Sequence, residues 1–414
     1  MAWLEAGLFS PSDLLGPIRA LYAHIPFCRA KCAYCDFYSH PCLQGNDLEE
    51  YLEKLIAELI EAQAYLGAAA WGGIETVFIG GGTPSLLSAP QWESLLEAIG
   101  AATRPSEFTV ECNPESLGPE TLEVLAAGGV NRISLGVQSC EAAALKAAGR
   151  ITTMADIERA FSLLHNRWRG RWNADFIAGL PEQSEAGLKA DMGAAIEAGA
   201  THISLYALSL EPGTALYERS RQRGGAGSVP DEEARYELWD AGAAYLQDMG
   251  FTRYEISNFC VPGAECRHNL HYWNMDSYVG IGAGAASSLF FADGRSLRRM
   301  GLADSEVYSR AGAGVFPHET ESISRIDGMK DFLLMGLRVS AGLEAGELVR
   351  RFGSDLARRL EPVFQRWEAQ GALRRDTEPG ALRIAQRISL TASGMDRENA
   401  LLRECFEALE QGPA

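Results

Sequence analysis

Short β-rich runs at residues 20–27, 76–79, 108–110, 132–137, 172–177 and 202–208 alternate with longer stretches of helical period. No other feature of the chain narrows its fold so far. The stretch at 48–64 shows the helical pattern most clearly, with Tyr51, Leu52, Leu55, Ile56, Leu59 and Ile60 on one face. Further helices are predicted to start near Gln91, Pro119, Thr153 and Glu185. A strand followed by a helix, repeated about every thirty residues, predicts right-handed βα units around a parallel sheet. Six such units are complete by residue 210.

Beyond them the pattern changes. Residues 211–230 dissolve into Gly, Ser and Arg, and a predicted helix at 231–249 leads into a strand-like 252–259, which reads as a lid or closing segment. A polar, weakly patterned stretch covers 301–325, and helices resume at 329–339 and 345–367, followed by a β-like 381–390 and a last helix at 395–410. The expected divisions are an N-terminal extension at 1–17, a core at 18–230, a closing segment at 231–325 and a small, mostly helical domain at 326–414.

With 47% hydrophobic and 22% charged residues among 414, the chain is neither disordered nor a disulfide scaffold. A net charge of −18 argues against nucleic acid or an anionic membrane as a partner unless a local basic patch exists. The longest uncharged stretch, 277–292, is mostly Gly, Ala and Ser, so no transmembrane segment is expected. Residues 1–17 contain Glu5 and Asp13 but no Lys or Arg, unlike a secretory signal, and a cytoplasmic location is expected. Six of the nine cysteines are scattered. Among them, Cys42, Cys112, Cys140, Cys260 and Cys405 have no ligand-like spacing and read as free thiols.

The other three, Cys28, Cys32 and Cys35, stand directly after the first β-rich run. Three thiolates on one short loop can hold three irons of a cuboidal 4Fe-4S cluster and leave the fourth iron open. Three small buried hydrophobes, or a zinc site wanting a fourth nearby ligand, are the other readings of such a set. Polar residues also follow the later runs: Gly80-Gly81-Gly82-Thr83-Pro84, Glu111, Gln138, Arg150 and Asp175. Ligand groups on barrels gather at the C-terminal ends of strands, so these residues are candidates to line one pocket.

Cys-x3-Cys-x2-Cys with the aromatic Tyr34 before the third cysteine resembles the radical S-adenosylmethionine (SAM) superfamily. The resemblance implies an α/β fold built on a partial (β/α)6 barrel and a SAM molecule on the open iron. It further implies Tyr22, Tyr34, Gly81, Gly82, Thr83, Glu111, Gln138, Arg150 and Asp175 as SAM contacts. One departure is Thr152, which stands where the family commonly has His after Gly-Arg-x.

His24-Ile-Pro-Phe-Cys28, Leu135-Gly-Val-Gln-Ser139 and Tyr254-Glu-Ile-Ser-Asn-Phe259 are similar to one branch, the oxygen-independent coproporphyrinogen III oxidases and the HemW-type heme chaperones. The oxidases have a fourth cysteine where this chain has Phe37, which argues against that enzymatic activity. The chaperones carry His-Asn-x-x-Tyr-Trp, present here as His268 to Trp273. This second resemblance implies binding of heme and its delivery to acceptor hemoproteins such as respiratory membrane enzymes, by a monomer or homodimer. On this reading residues 231–325 include the heme-binding segment and the C-terminal domain is of HemN type. A neutral imidazole suits heme iron and aromatics suit a porphyrin face, so His268 with Tyr272 and Trp273 is the expected seat. Cys266 and His271 are rival ligands on the same segment, and Arg267 could meet a propionate or form a rim salt bridge.

Overall fold

The computed structural model describes residues 4, 9–41, 45–221, 229–377, 386–395 and 397–410. All six predicted runs are strands: β1 (Ala20–Ile25), β2 (Thr76–Gly81), β3 (Glu107–Cys112), β4 (Arg132–Gln138), β5 (Arg171–Ala178) and β6 (His202–Ala207). They lie side by side in that order, each parallel to the next. Ile133, Ser134, Leu135 and Val137 of β4 are all buried, so both of its faces are covered. That double coverage is what a parallel sheet under crossover helices requires. Thr153, Ser184 and Asp231 cap the helices Met154–Arg167, Glu185–Glu197 and Glu232–Asp248 by accepting from backbone N–H groups of the first turn.

The helix Gly45–Trp71 buries Tyr51, Leu52, Leu55 and Leu59 as its period predicts. Ile60, expected on the same face, is instead exposed, and Glu58 is buried. The reason is an ion pair: Glu58 accepts from Arg299 at 2.7 Å, from Tyr308 Oη at 2.7 Å and from Gly282 N at 2.8 Å. These bonds fasten the helix to residues more than two hundred positions away.

The sheet continues past both ends of the parallel core to twelve strands in one open order. Beyond β6 lie the antiparallel Asn258–Cys260 and the two-residue edge Thr252–Arg253. Beyond β1 lies Tyr278–Ile281, parallel to it, then an antiparallel meander of Ala286–Phe290, Ser296–Gly301 and His318–Ile323. The uncharged 277–292 stretch is thus two strands, and the weakly patterned 301–325 holds the helix Ser305–Arg310 and an edge strand. Small residues are needed there, because a Cβ on Gly280 would stand 2.1 Å from the carbonyl oxygen of Ala286.

A second core is formed by Arg325–Gly336, Ala345–Ala369 and Glu398–Glu410 against a three-stranded antiparallel sheet ordered Leu343–Glu344, Gln386–Leu390, Leu373–Thr377. Cys405 is buried within it. The first half of the β-like 381–390, and Cys42, lie outside the described residues. Among the described residues no helix is long and apolar enough to cross a membrane.

Candidate functional site

At the C-terminal ends of β1 to β4 the sequence brings together groups that are far apart in the chain. The cysteine loop leaves β1 and returns to it, with Phe27–Cys28 pairing parallel to His40–Pro41 and His40 N bonded to Pro26 O at 2.9 Å. Its crest is clipped by Ala33 N to Ala148 O at 2.9 Å and by Leu216 N to Ala33 O at 2.7 Å. Gly149 sits against Ala33 with φ +69°, a conformation that favours glycine and lets the next residue turn inward.

That next residue is Arg150. Its Nη1 lies 3.8 Å from Cys32 Sγ and 3.4 Å from Tyr34 Oη, and its Nη2 donates to Gly136 O at 2.6 Å and Asn113 Oδ1 at 3.3 Å. The Nε of the same guanidinium is buried without a hydrogen-bond partner. Arg150 thereby ties the end of β4 to the cysteine loop and keeps a donor in reserve. Burial pushes the Cys28 thiol up, with hydrogen bonds from Thr83 and Ser39 opposing. Cys28, Cys32 and Cys35 are unpaired, and among the described residues no three His, Cys, Asp or Glu side chains converge as ligands of one ion. A donor set of three thiols on one loop suits separate irons of a cluster.

The glycine turn passes over this loop so closely that side chains are excluded. A Cβ on Gly82 would stand 2.5 Å from Phe27 O, and one on Gly81, where φ is +119°, 2.5 Å from the His24 ring. Gly81 N donates to Glu111 Oε2 at 2.8 Å, and Thr83 Oγ1 accepts from Asn113 Nδ2 at 3.0 Å. Burial, with a smaller contribution from the Asp175 charge, pushes Glu111 up to about 7. Asp175 is raised by burial too, though Ser134 Oγ at 3.0 Å and Asn173 Nδ2 at 2.8 Å donate to it. A positive charge placed beside these two acids would favour their ionised forms. Tyr22 Oη bonds His24 Nδ1 at 2.9 Å while His24 Nε2 bonds Tyr38 O at 3.0 Å, so the ring is the Nε2–H tautomer and Tyr22 is the donor. Gln138 follows a bulge in β4 and has φ +70°, a strained conformation at the rim of the same pocket. The residues present fit both a cluster and SAM.

His24 and Asn113 belong to this constellation although sequence reasoning left them out. His24 is two residues from Tyr22 on one strand, and that period of two was the available signal.

The His268 segment lies at the opposite end of the strands. Helix Arg267–Trp273 packs on the first residues of β2 and β3: His268 Nδ1 bonds Thr76 Oγ1 at 2.9 Å, and Glu107 accepts from His268 N at 2.9 Å and Arg267 N at 3.0 Å. His268 Nε2 bonds Tyr272 Oη at 2.8 Å, its ring packs on Phe78, and it is 1% exposed. Burial pushes its pKa down to about 3. At the expected seat both ring nitrogens of His268 are hydrogen-bonded, one of them to Tyr272. Trp273 is half-buried on the last turn of the helix. Cys266 is buried, its thiol pushed up to about 12 by burial. On the helix's other side Met275 joins the second core and Arg351 donates to Met275 O at 2.7 Å, so the segment is a plug between barrel floor and C-terminal domain.

Residues 22–193 match the radical SAM superfamily and residues 323–396 the HemN C-terminal domain. The heme chaperone HemW of Escherichia coli is 38% identical over 285 residues, 68% of this chain and 73% of that protein. HemW of Bacillus subtilis is 32% identical, covering 82% and 88%, and that of Synechocystis 33%, covering 95% and 97%. Among solved structures, the coproporphyrinogen III oxidase HemN of Escherichia coli, a radical SAM enzyme, superposes with a TM-score of 0.75 at 18% identity, covering 97% of this chain and 92% of that one. That likeness shows the fold.

Proposed function

The chain belongs to the HemW family of the radical SAM superfamily, and from that premise we propose that it is a heme chaperone that holds a 4Fe-4S cluster and SAM and passes heme to acceptor hemoproteins. Cys28, Cys32 and Cys35 anchor three irons. The Gly80–Thr83 turn, Tyr22, Tyr34, Glu111, Gln138, Arg150 and Asp175 line the SAM pocket. When bound, the cluster supplies one open iron and a low-potential electron. The chain's own part is positioning. Arg150 supplies positive charge next to Cys32, Glu111 and Asp175 are acids raised by burial whose ionised forms a cationic ligand would favour, and the glycines let backbone N–H groups reach that ligand. The observation that carries the reading is the Arg150 guanidinium, which joins the cysteine loop at 3.8 Å to the end of β4.

Phe37 separates chaperoning from oxidative decarboxylation. It stands where the oxidases have a cysteine, and its side chain is 74% exposed. The test is one anaerobic reconstitution, divided between heme and coproporphyrinogen III with SAM and a reductant. Stable heme binding with no protoporphyrinogen formed is expected; robust decarboxylation would replace this reading with the oxidase.

A further inference from the structure

Glu255 and Asn258, in the segment from Tyr254 to Phe259, belong to neither the SAM pocket nor the plug. Strand Asn258–Cys260 lies against β6 with Asn258 opposite Ser204, and Ser204 is in turn opposite Asp175 of β5. Residues paired across a sheet share a face, so Asn258, Ser204 and Asp175 line the inside of the barrel together. Two residues nearer the floor, Asn173 Nδ2 donates to Asp175 Oδ1 at 2.8 Å and to Ser204 Oγ at 3.4 Å. The carboxylate fixes which way that amide points, and Asn173 Oδ1 is left over.

Three acceptors of this wall are unanswered. Asn173 Oδ1, Asn258 Oδ1 and Glu255 Oε1 make no hydrogen bond, on side chains of residues that are 1%, 5% and 1% exposed. The other oxygen of Glu255 accepts from Ser257 N at 3.3 Å. Buried oxygens of this kind are costly unless something donates to them. Tyr206, two residues after Ser204 on the same face, is 42% exposed, so the wall opens to solvent at its upper end. Asp175 and Glu255 form no ion pair among the described residues, and Arg132 and Arg253 act on them only from farther off. A primary ammonium carries three N–H donors and one positive charge, which match three unanswered acceptors and two unpaired acids.

We propose that this inner wall is a seat for a primary amine, its ammonium donating to Asn173, Asn258 and Glu255 beside the SAM pocket. It is a second small-molecule site, independent of the heme reading, and it gives the barrel interior a ligand of its own. No covalent step is part of it.

Anaerobically reconstituted full-length protein in excess SAM, titrated with methylammonium chloride and followed by its melting temperature, tests this. Tetramethylammonium chloride at equal ionic strength is the control, a cation with no N–H to donate. Methylammonium should raise the melting temperature and saturate, and tetramethylammonium should not. Glu255→Gln should weaken the methylammonium response about tenfold, and Asn258→Leu should abolish it while SAM affinity is retained. No saturable response, an equal response to the two cations, or an undiminished one in folded Glu255→Gln protein would overturn the seat and leave ordered water as the partner of the wall. If both variants fail to fold, the two-cation comparison on the wild type decides alone. A chain that takes up no SAM sinks the SAM reading instead, and the dependence on Glu255 still reads the amine seat.

Discussion

Both ends of the parallel strands carry buried polar residues, yet the two groups described above are built differently. At the C-terminal rim the groups are left incompletely satisfied: Arg150 has an orphan Nε, Glu111 rests near neutrality, and Gln138 is held at positive φ. At the N-terminal floor the polar groups of the plug mostly satisfy one another, with Glu107 accepting from two backbone N–H groups and His268 bonded at both nitrogens. The rim thus leaves a guanidinium nitrogen in want of a partner while the Glu107–His268 network at the floor is closed, and buried polar groups without partners are costly unless a ligand supplies them.

Substitutions can break this contrast. The largest effect is expected at the rim, where Cys32→Ala should abolish the cluster, read as loss of iron and sulfide, while Cys405→Ser retains it. At the floor, Glu107→Ala should reverse the pattern, lowering stability by about 3 kcal/mol through two stranded backbone donors while iron content per folded molecule is unchanged. Chemical denaturation of the two variants, with iron analysis, checks both; a Glu107 variant of normal stability without iron would erase the distinction. Arg150→Ala should weaken SAM binding by about 1–3 kcal/mol in calorimetry and spare the cluster.

The smallest effect is in pH dependence, and its sign should differ between the ends. Glu111 has a folded pKa raised from 4.5 to about 7, so its contribution to stability is fully present below 4.5 and is lost as pH rises through 7. His268 is lowered from 6.5 to about 3, so its contribution is present above 6.5 and fades as pH falls toward 3. Glu111→Gln should therefore remove a loss of stability on the alkaline side, and His268→Asn a loss on the acid side. Melting curves of ligand-free protein across pH 4 to 8, compared with wild type, give both slopes.

The βα core was legible because each strand is an apolar run bounded by turns, and β4 was read to within one residue of its end. Tyr278–Ile281 was not legible: its Gly280 is there to clear Ala286, so close backbone approach rather than β-propensity makes it a strand. The rim residues were singled out by their positions after successive strands and by the resemblance that the cysteine spacing carries. The surroundings of His268 were not legible for a different reason. A motif of imidazole and aromatics is the same string of letters whether it faces a ligand or Thr76, and only the three-dimensional register of its helix decides which.

The open ends of the twelve-stranded sheet bear on how this protein avoids its own kind. An unclosed sheet presents unpaired backbone groups that can recruit a strand from another molecule. Here one margin is Thr252–Arg253, too short to serve as a template, and the other is His318–Ile323, where Glu319 and Glu321 are exposed. Replacing those two glutamates with Val or Thr would keep the backbone pairing of the sheet, lose only the exposed Arg298–Glu321 ion pair, and remove the charges that make intermolecular pairing repulsive, turning the edge into a seed for aggregation.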